Sequence, residues 1–122
     1  MAAPDESLLE FAASSFSSVW ALELLLVLKG QPRPWPRAEL VTTLRASELV
    51  VTRALESLLA AGLVSIDGDQ AAYMPVNDRV AAKVDALEKL YAARPNSVRR
   101  AIVDSGRGGA TAFADAFKLR KD

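Results

Sequence analysis

Apolar side chains recur along this chain at helical spacing, with one short interruption that alternates like a pair of strands. Residues 18–29, SVWALELLLVLK, are apolar on almost every side, with Glu23 and Lys29 as the exceptions. A helix of this kind is buried on most of its surface, and Gly30 is a residue that ends helices well. We therefore expect residues 18–29 to form a helix that is buried on most sides.

Two further helices are predicted on either side of a tight turn. The first spans residues 36–44, because a proline suits the first helical position. After the turn, Ser47 is a good N-cap for a helix that runs to about Ala61, and Gly62 suits the left-handed conformation that follows such a helix. The core face of this last helix has apolar side chains at positions i, i+4 and i+7. These residues are Val51, Leu55 and Leu58.

The connector before these helices, QPRPWPR at residues 31–37, carries prolines at alternate positions. Each proline fixes φ and disfavours helix in the residue before it, so the segment is extended. One interpretation is a polyproline ligand for another domain. The other, which we favour, is a stiff connector whose Trp35 packs on the core.

Beyond Gly62 the pattern predicts a hairpin and then more helices. Residues 63–66 and 72–76 are strand-like and flank Asp67-Gly68, which is a hairpin signal. A long helix, capped by Asn77 or Asp78, follows to about residue 94, where Pro95 breaks it. Its apolar stripe consists of Val80, Val84, Leu87 and Tyr91. Shorter helical segments are expected around Leu8, Leu9 and Phe16, around Val98 and Ile102, and at residues 110–121.

The predicted fold is mainly α with a small β-hairpin. It divides into an N-terminal helical segment (1–17), a helix-turn-helix domain with a hairpin (18–76), a long helix (77–94) and a C-terminal helical extension (95–122). A helix-turn-helix followed by a two-stranded hairpin is the winged-helix arrangement. The sequence therefore predicts a winged helix-turn-helix domain with extra terminal helices.

One stretch also resembles a known family. Residues 44–64, LRASELVVTRALESLLAAGLV, are similar to the helix-turn-helix of MarR-like and related bacterial winged-helix regulators. Their common pattern is L-x-x-S-x-x-x-V-[ST]-R-x-L-x-x-L-x-x-A-G-L-V. The match covers some 60 residues once the preceding helix and the hairpin are counted. The positions that match are Leu44, Ser47, Val51, Thr52, Arg53, Leu55, Leu58, Ala61, Gly62, Leu63 and Val64.

The resemblance implies a DNA-binding transcription regulator. In such proteins the helix beginning at Ser47 enters the major groove and the hairpin, or wing, touches the phosphate backbone. Arg53 would then contact phosphate or guanine, and Thr52 would contact phosphate. The outward positions of this helix and its flanks form the expected DNA interface. They are Arg37, Thr42, Thr43, Arg45, Ser47, Glu48, Leu49, Val50, Thr52, Arg53 and Glu56.

The distribution of charge points the other way. The chain has no net charge, but residues 1–70 carry five basic and nine acidic side chains. Asp67 and Asp69 stand in the wing, where they would repel phosphate, whereas affinity for DNA depends on lysine and arginine. Leu49 and Val50 would touch thymine methyl groups or, equally well, anchor a protein partner. A protein-interaction module that does not bind DNA therefore remains the alternative.

Apolar stripes outside the winged domain indicate a homodimer held by the terminal helices, as in MarR-like proteins. The expected interface residues are Leu87, Tyr91, Phe113 and Phe117. The two phenylalanines lie one turn apart and would instead fold back on their own core if they do not cross to a second subunit. Basic side chains are frequent after residue 93, where they form either a partner-binding arm or a solvated surface.

Composition excludes most catalytic chemistry. The chain has no histidine and no cysteine, which removes the commonest general base and the usual nucleophile pairs. Asp67 and Asp69 are expected to form a turn, not a metal site, and SGRGGA lacks the lysine of a phosphate-binding loop. We expect a protein that is not an enzyme and needs no cofactor or metal. No secretory signal or membrane-length apolar segment is recognised, so we expect a cytoplasmic protein.

Overall fold

The computed structural model describes residues 4–104, which are mainly helical with one small three-stranded antiparallel sheet. The elements in chain order are α1 (Pro4–Ser15), α2 (Val19–Gly30), β1 (Trp35–Pro36), α3 (Arg37–Leu44), α4 (Glu48–Ala60), β2 (Val64–Asp67), β3 (Gln70–Tyr73), α5 (Asp78–Ala93) and α6 (residues 95–104). The predicted helix at residues 110–121 lies outside the described residues.

Helix α2 is the centre of the core, as its nearly continuous apolar sequence predicts. Its first turn is capped by Ser18, whose Oγ accepts a 3.2 Å hydrogen bond from the backbone N–H of Ala21. It packs against α3, α4 and β3. Its buried side chains are Ala21, Leu22, Leu24, Leu25 and Leu28. Burial of this much apolar surface is the main force that holds the fold together.

The tight turn between α3 and α4 has the predicted form. Arg45 takes a left-handed conformation, with φ 54°, and is the one described non-glycine residue with positive φ. The N–H of Ala46 donates to the carbonyl of Val41 at 3.2 Å and closes the turn. Ser47 then caps α4, because its Oγ accepts from the N–H of Val50 at 3.1 Å. The prediction that Val51, Leu55 and Leu58 face the core is confirmed.

The connector contains a strand that the sequence pattern does not reveal. Trp35 and Pro36 form β1, which pairs antiparallel with β3 and places Trp35 opposite Ala71. Trp35 is buried and its Nε1–H donates to the carbonyl of Gln31 at 3.0 Å. The prediction that this tryptophan packs on the core is confirmed. Two residues are too few to show strand alternation, and the partner strand is distant in the sequence.

The hairpin is present, with strand limits slightly different from those predicted. β2 and β3 enclose a two-residue loop, Gly68-Asp69, and Gly68 has φ 60°. A glycine with positive φ at the first loop position is the arrangement of a type II′ turn. β3 begins two residues earlier than predicted and ends before Met74-Pro75, because a proline cannot donate a ladder hydrogen bond. The sheet order is β1-β3-β2.

The terminal helices pack on this core. Asn77 caps α5 by accepting a 2.9 Å hydrogen bond from the N–H of Val80, and α1 packs along α5. Lys29 of α2 forms ion pairs with Asp85 at 3.1 Å and Glu88 at 2.6 Å, which join α2 to α5. Phe16, Val84, Val98 and Ile102, which the sequence places in these outer segments, are all buried.

Within residues 4–104, no single helix is long and apolar enough to cross a membrane. Helices α1 and α2 satisfy that test only when taken together, and they are bent by 102° with respect to each other.

Candidate nucleic-acid interface

Helix α4 presents one face to solvent between Glu48 and Glu56, while its other face packs in the core. Leu49 is 57% exposed. Val50 and Thr52 are half-buried. The remaining side chains of this face are exposed, and they are Glu48, Arg53 and Glu56. The face therefore combines two carboxylates, one guanidinium and one large apolar group.

The turn before α4 adds polar groups beside this face. Thr42, Thr43 and Arg45 are exposed, and the left-handed backbone at Arg45 brings the end of α3 close to the start of α4. Ser47 is exposed as well, but its Oγ already accepts from the N–H of Val50. Its hydroxyl hydrogen is what remains to donate to a ligand such as phosphate.

Arg37, at the start of α3, links this region to the turn between β2 and β3. Its backbone N–H donates to the carbonyl of Asp69 at 2.9 Å. Its side chain is half-buried, and its Nε is buried without a hydrogen-bond partner. An open cavity of about 440 Å³ lies between α3, α4 and the turn that joins β2 to β3. Its lining residues are Arg37, Ala38, Val41, Thr42, Glu48 and Asp69.

The arginines of this surface are not neutralised by nearby carboxylates. Within residues 4–104, the ion pairs engage Lys29, Arg33 and Arg94. Arg37, Arg45 and Arg53 take part in none of these ion pairs. The same is true of four carboxylates on or beside the surface, namely Glu48, Glu56, Asp67 and Asp69. The surface thus offers three guanidinium groups among a slight excess of negative charge.

All eleven residues of the predicted DNA interface lie on α3, the turn or α4, and each is exposed or half-buried. What the sequence did not indicate is the closeness of Asp69 to Arg37, which share one cavity. That contact depends on the pairing of β1 with β3, and no local pattern reports such a pairing.

Of the four residues predicted for a dimer interface, Leu87 and Tyr91 lie within the described part of the chain. Leu87 is only 1% exposed and belongs to the core of its own chain, so no second subunit is needed to cover it. Tyr91 is half-buried, and its Oη donates to Glu23 and accepts from Nε of Arg99 at 3.2 Å. Phe113 and Phe117 lie outside the described residues.

Among residues 4–104, no group of three or more acidic side chains is arranged to hold a metal ion. Comparisons with protein families, with curated proteins and with solved structures give no match for this chain.

Proposed function

We propose that this chain is a winged helix-turn-helix transcription regulator that binds double-stranded DNA, acts without catalysis and forms a homodimer. The order of elements from α2 to β3 supports the winged-helix assignment, since a helix, a short strand, two helices and a hairpin follow one another. The sheet order β1-β3-β2 supports it further, because the first strand joins the hairpin and holds the wing beside α3 and α4.

The observation that carries the functional proposal is the exposed first half of α4, with three unpaired arginines on and around it. A helix that stands free next to a tight turn fits the width of the major groove. Arg53 would reach phosphate or a guanine edge from this helix. Arg37 and Arg45 would contact the backbone on either side, which sets the position of the helix without reading sequence.

The remaining side chains of α4 would read bases. Leu49 is exposed enough to contact a thymine methyl group, and Glu48 or Glu56 would accept from the amino group of cytosine. Because carboxylates on α4 and on the wing oppose phosphate, sequence-independent affinity would be low. The protein would therefore depend on base contacts more than a strongly basic regulator does.

A second function is favoured by one specific observation. Leu49 is largely exposed between two carboxylates on α4, and the wing is acidic. A large apolar anchor within a charged rim is also how protein-binding surfaces are built. In this alternative the winged domain binds another protein through α4 and never contacts DNA.

Selection from a pool of random DNA duplexes tests the proposal. The DNA-binding function predicts that the chain enriches a defined sequence and that Arg53→Gln abolishes the enrichment. Arg79→Gln is the matched control, because Arg79 is an exposed arginine on α5, away from α4. Absence of any enriched sequence would favour the protein-binding alternative. If the chain binds a protein partner instead, Leu49→Ala should weaken the binding of that partner, while Arg53→Gln should leave it unchanged.

A further inference from the structure

A second cavity lies where α2 meets α6. Its volume is about 330 Å³, and Val19, Trp20, Glu23 and Arg99 line it. Trp20 is 43% exposed, although α2 is otherwise the most buried helix of the fold. An indole that is left open to solvent beside a cavity is a surface on which a flat ring can stack.

The charged groups of this cavity are held in place by Tyr91. Its Oη donates to Oε2 of Glu23 and accepts a 3.2 Å hydrogen bond from Nε of Arg99. The guanidinium carbon of Arg99 also lies 5.5 Å from the centre of the Tyr91 ring, and Nη1 reaches Asn96 at 3.5 Å. The carboxylate and the guanidinium are thus fixed on either side of one hydroxyl group.

Each of these two groups keeps one free end. Within residues 4–104, no hydrogen bond engages Oε1 of Glu23 or Nη2 of Arg99, and the two side chains form no ion pair with each other. The cavity therefore offers an acceptor that is negatively charged, a donor that is positively charged and an indole ring. A matching ligand is planar and carries donors and an acceptor side by side on one edge.

We propose that this cavity binds the base of a guanine nucleotide. Guanine has N1–H and N2–H donors next to the O6 acceptor on its Watson–Crick edge, and proteins read that edge by hydrogen bonds while stacking the base on aromatic side chains. Glu23 would accept from N1–H and N2–H, Arg99 would donate to O6, and Trp20 would stack on the ring. Adenine lacks both the oxygen acceptor and the second donor.

The size of the cavity agrees with this ligand. Small-molecule sites start at about 300 Å³, so the cavity holds a base and leaves the ribose and phosphate in solvent. The site is formed by α2 and α6, and no residue of α4 lines it. Its test is accordingly independent of whether α4 binds DNA.

The fluorescence of Trp20 reports on the site directly. The chain has two tryptophans, and Trp35 is only 4% exposed, so a ligand quenches mainly Trp20. The whole chain is titrated with guanosine, inosine and adenosine monophosphates, which share the phosphate and the ribose. Guanosine monophosphate should quench saturably, inosine monophosphate should bind about tenfold more weakly because it lacks the 2-amino donor, and adenosine monophosphate should bind most weakly.

Two variants test the recognition of the base edge. Glu23→Gln and Arg99→Gln should each lower the affinity for guanosine monophosphate by about tenfold or more, since each removes a hydrogen bond to a charged group. Arg100→Gln is the matched control, because Arg100 is the exposed neighbour of Arg99 and does not line the cavity. Circular dichroism checks that every variant is folded, and Arg99→Gln removes only an exposed side chain.

Two results would overturn the proposal. One is the absence of saturable quenching by guanosine monophosphate into the millimolar range. The other is equal binding of the guanine and adenine nucleotides, which would mean that Trp20 stacks any base without edge recognition. A short guanine-containing oligonucleotide in the same titration shows whether a base within a strand competes for the site or only the free nucleotide does.

Discussion

The backbone N–H of Arg37 donates a 2.9 Å hydrogen bond to the carbonyl oxygen of Asp69. This bond continues the pairing of β1 with β3 into the first residue of α3, and so attaches the turn between β2 and β3 to α3. Because it joins two backbones, it does not depend on either side chain. The charge of the wing can therefore be changed without releasing the wing from α3.

The first prediction concerns that charge. If the wing faces phosphate, Asp67→Asn combined with Asp69→Asn should raise DNA affinity by about threefold or more, because two like charges are removed. Asparagine also suits a tight hairpin turn, so the fold should persist. Asp104→Asn, on α6, is the control and should leave affinity unchanged. Affinity that stays the same in the wing variant would show that the wing does not approach DNA.

The second prediction concerns the start of α4. Ser47→Ala removes the side-chain oxygen that accepts from Val50 N–H, and should lower the free energy of unfolding by about 1 kcal/mol. Ser47→Asn should restore most of the loss, because asparagine is an equally good N-cap without added charge. Urea denaturation of the three proteins compares these values. Equal stability of the alanine variant would mean that the cap contributes nothing.

The third prediction concerns alkaline pH. Hydrogen bonding to Glu88 is the main cause that raises the pKa of Lys29 above its ordinary value of 10.5, with a further contribution from Asp85. Burial is the main cause that raises the pKa of Tyr73 and Tyr91 above 10.0. As the pH rises, each of these groups therefore loses its proton in the unfolded state before it does so in the folded state. Stability should therefore be constant just below pH 10 and fall as the pH rises above it.

Lys29→Met isolates the contribution of the lysine to this loss of stability at alkaline pH. The variant should lose less stability between pH 10 and pH 12 than the natural chain does, since one of the proton-holding groups is gone. Thermal denaturation at a series of pH values gives the comparison. The same slope in both proteins would show that the ion pairs of Lys29 with Asp85 and Glu88 do not stabilise the fold.

The fourth prediction concerns assembly. The proposed homodimer should sediment as a single species of twice the chain mass at micromolar concentration. Phe113→Ala combined with Phe117→Ala should shift it toward the monomer, while Asp115→Asn, between them in the sequence, should not. A clean monomer of the natural chain at high micromolar concentration would contradict the dimer.

Local signals in the sequence predicted the helices well. Ser47 and Asn77 cap α4 and α5 because the capping bond is made within three residues, and Gly62 has the expected positive φ. Periodicity also identified the core positions of α4. These features depend only on neighbours along the chain, so one sequence is enough to find them.

Contacts between distant residues were not predictable in the same way. Strand β1 exists because Trp35 meets Ala71, and nothing near Trp35 in the sequence shows that partner. The stripe containing Leu87 was recognised, but the pattern does not say whether a neighbouring helix or a second subunit covers it. The cavity beside Trp20 likewise needs Arg99 from a helix at the far end of the described chain.

The most direct test of the central claim is the salt dependence of DNA binding. Fluorescence anisotropy of a labelled duplex of mixed sequence, titrated with the purified chain at about 50 and 200 mM salt, measures the phosphate contacts of α3, α4 and the wing. We expect weak binding at low salt and a loss of affinity of about tenfold or more at the higher concentration. No binding at low salt would contradict it and would leave α4, with Leu49 exposed at its start, as a protein-binding surface.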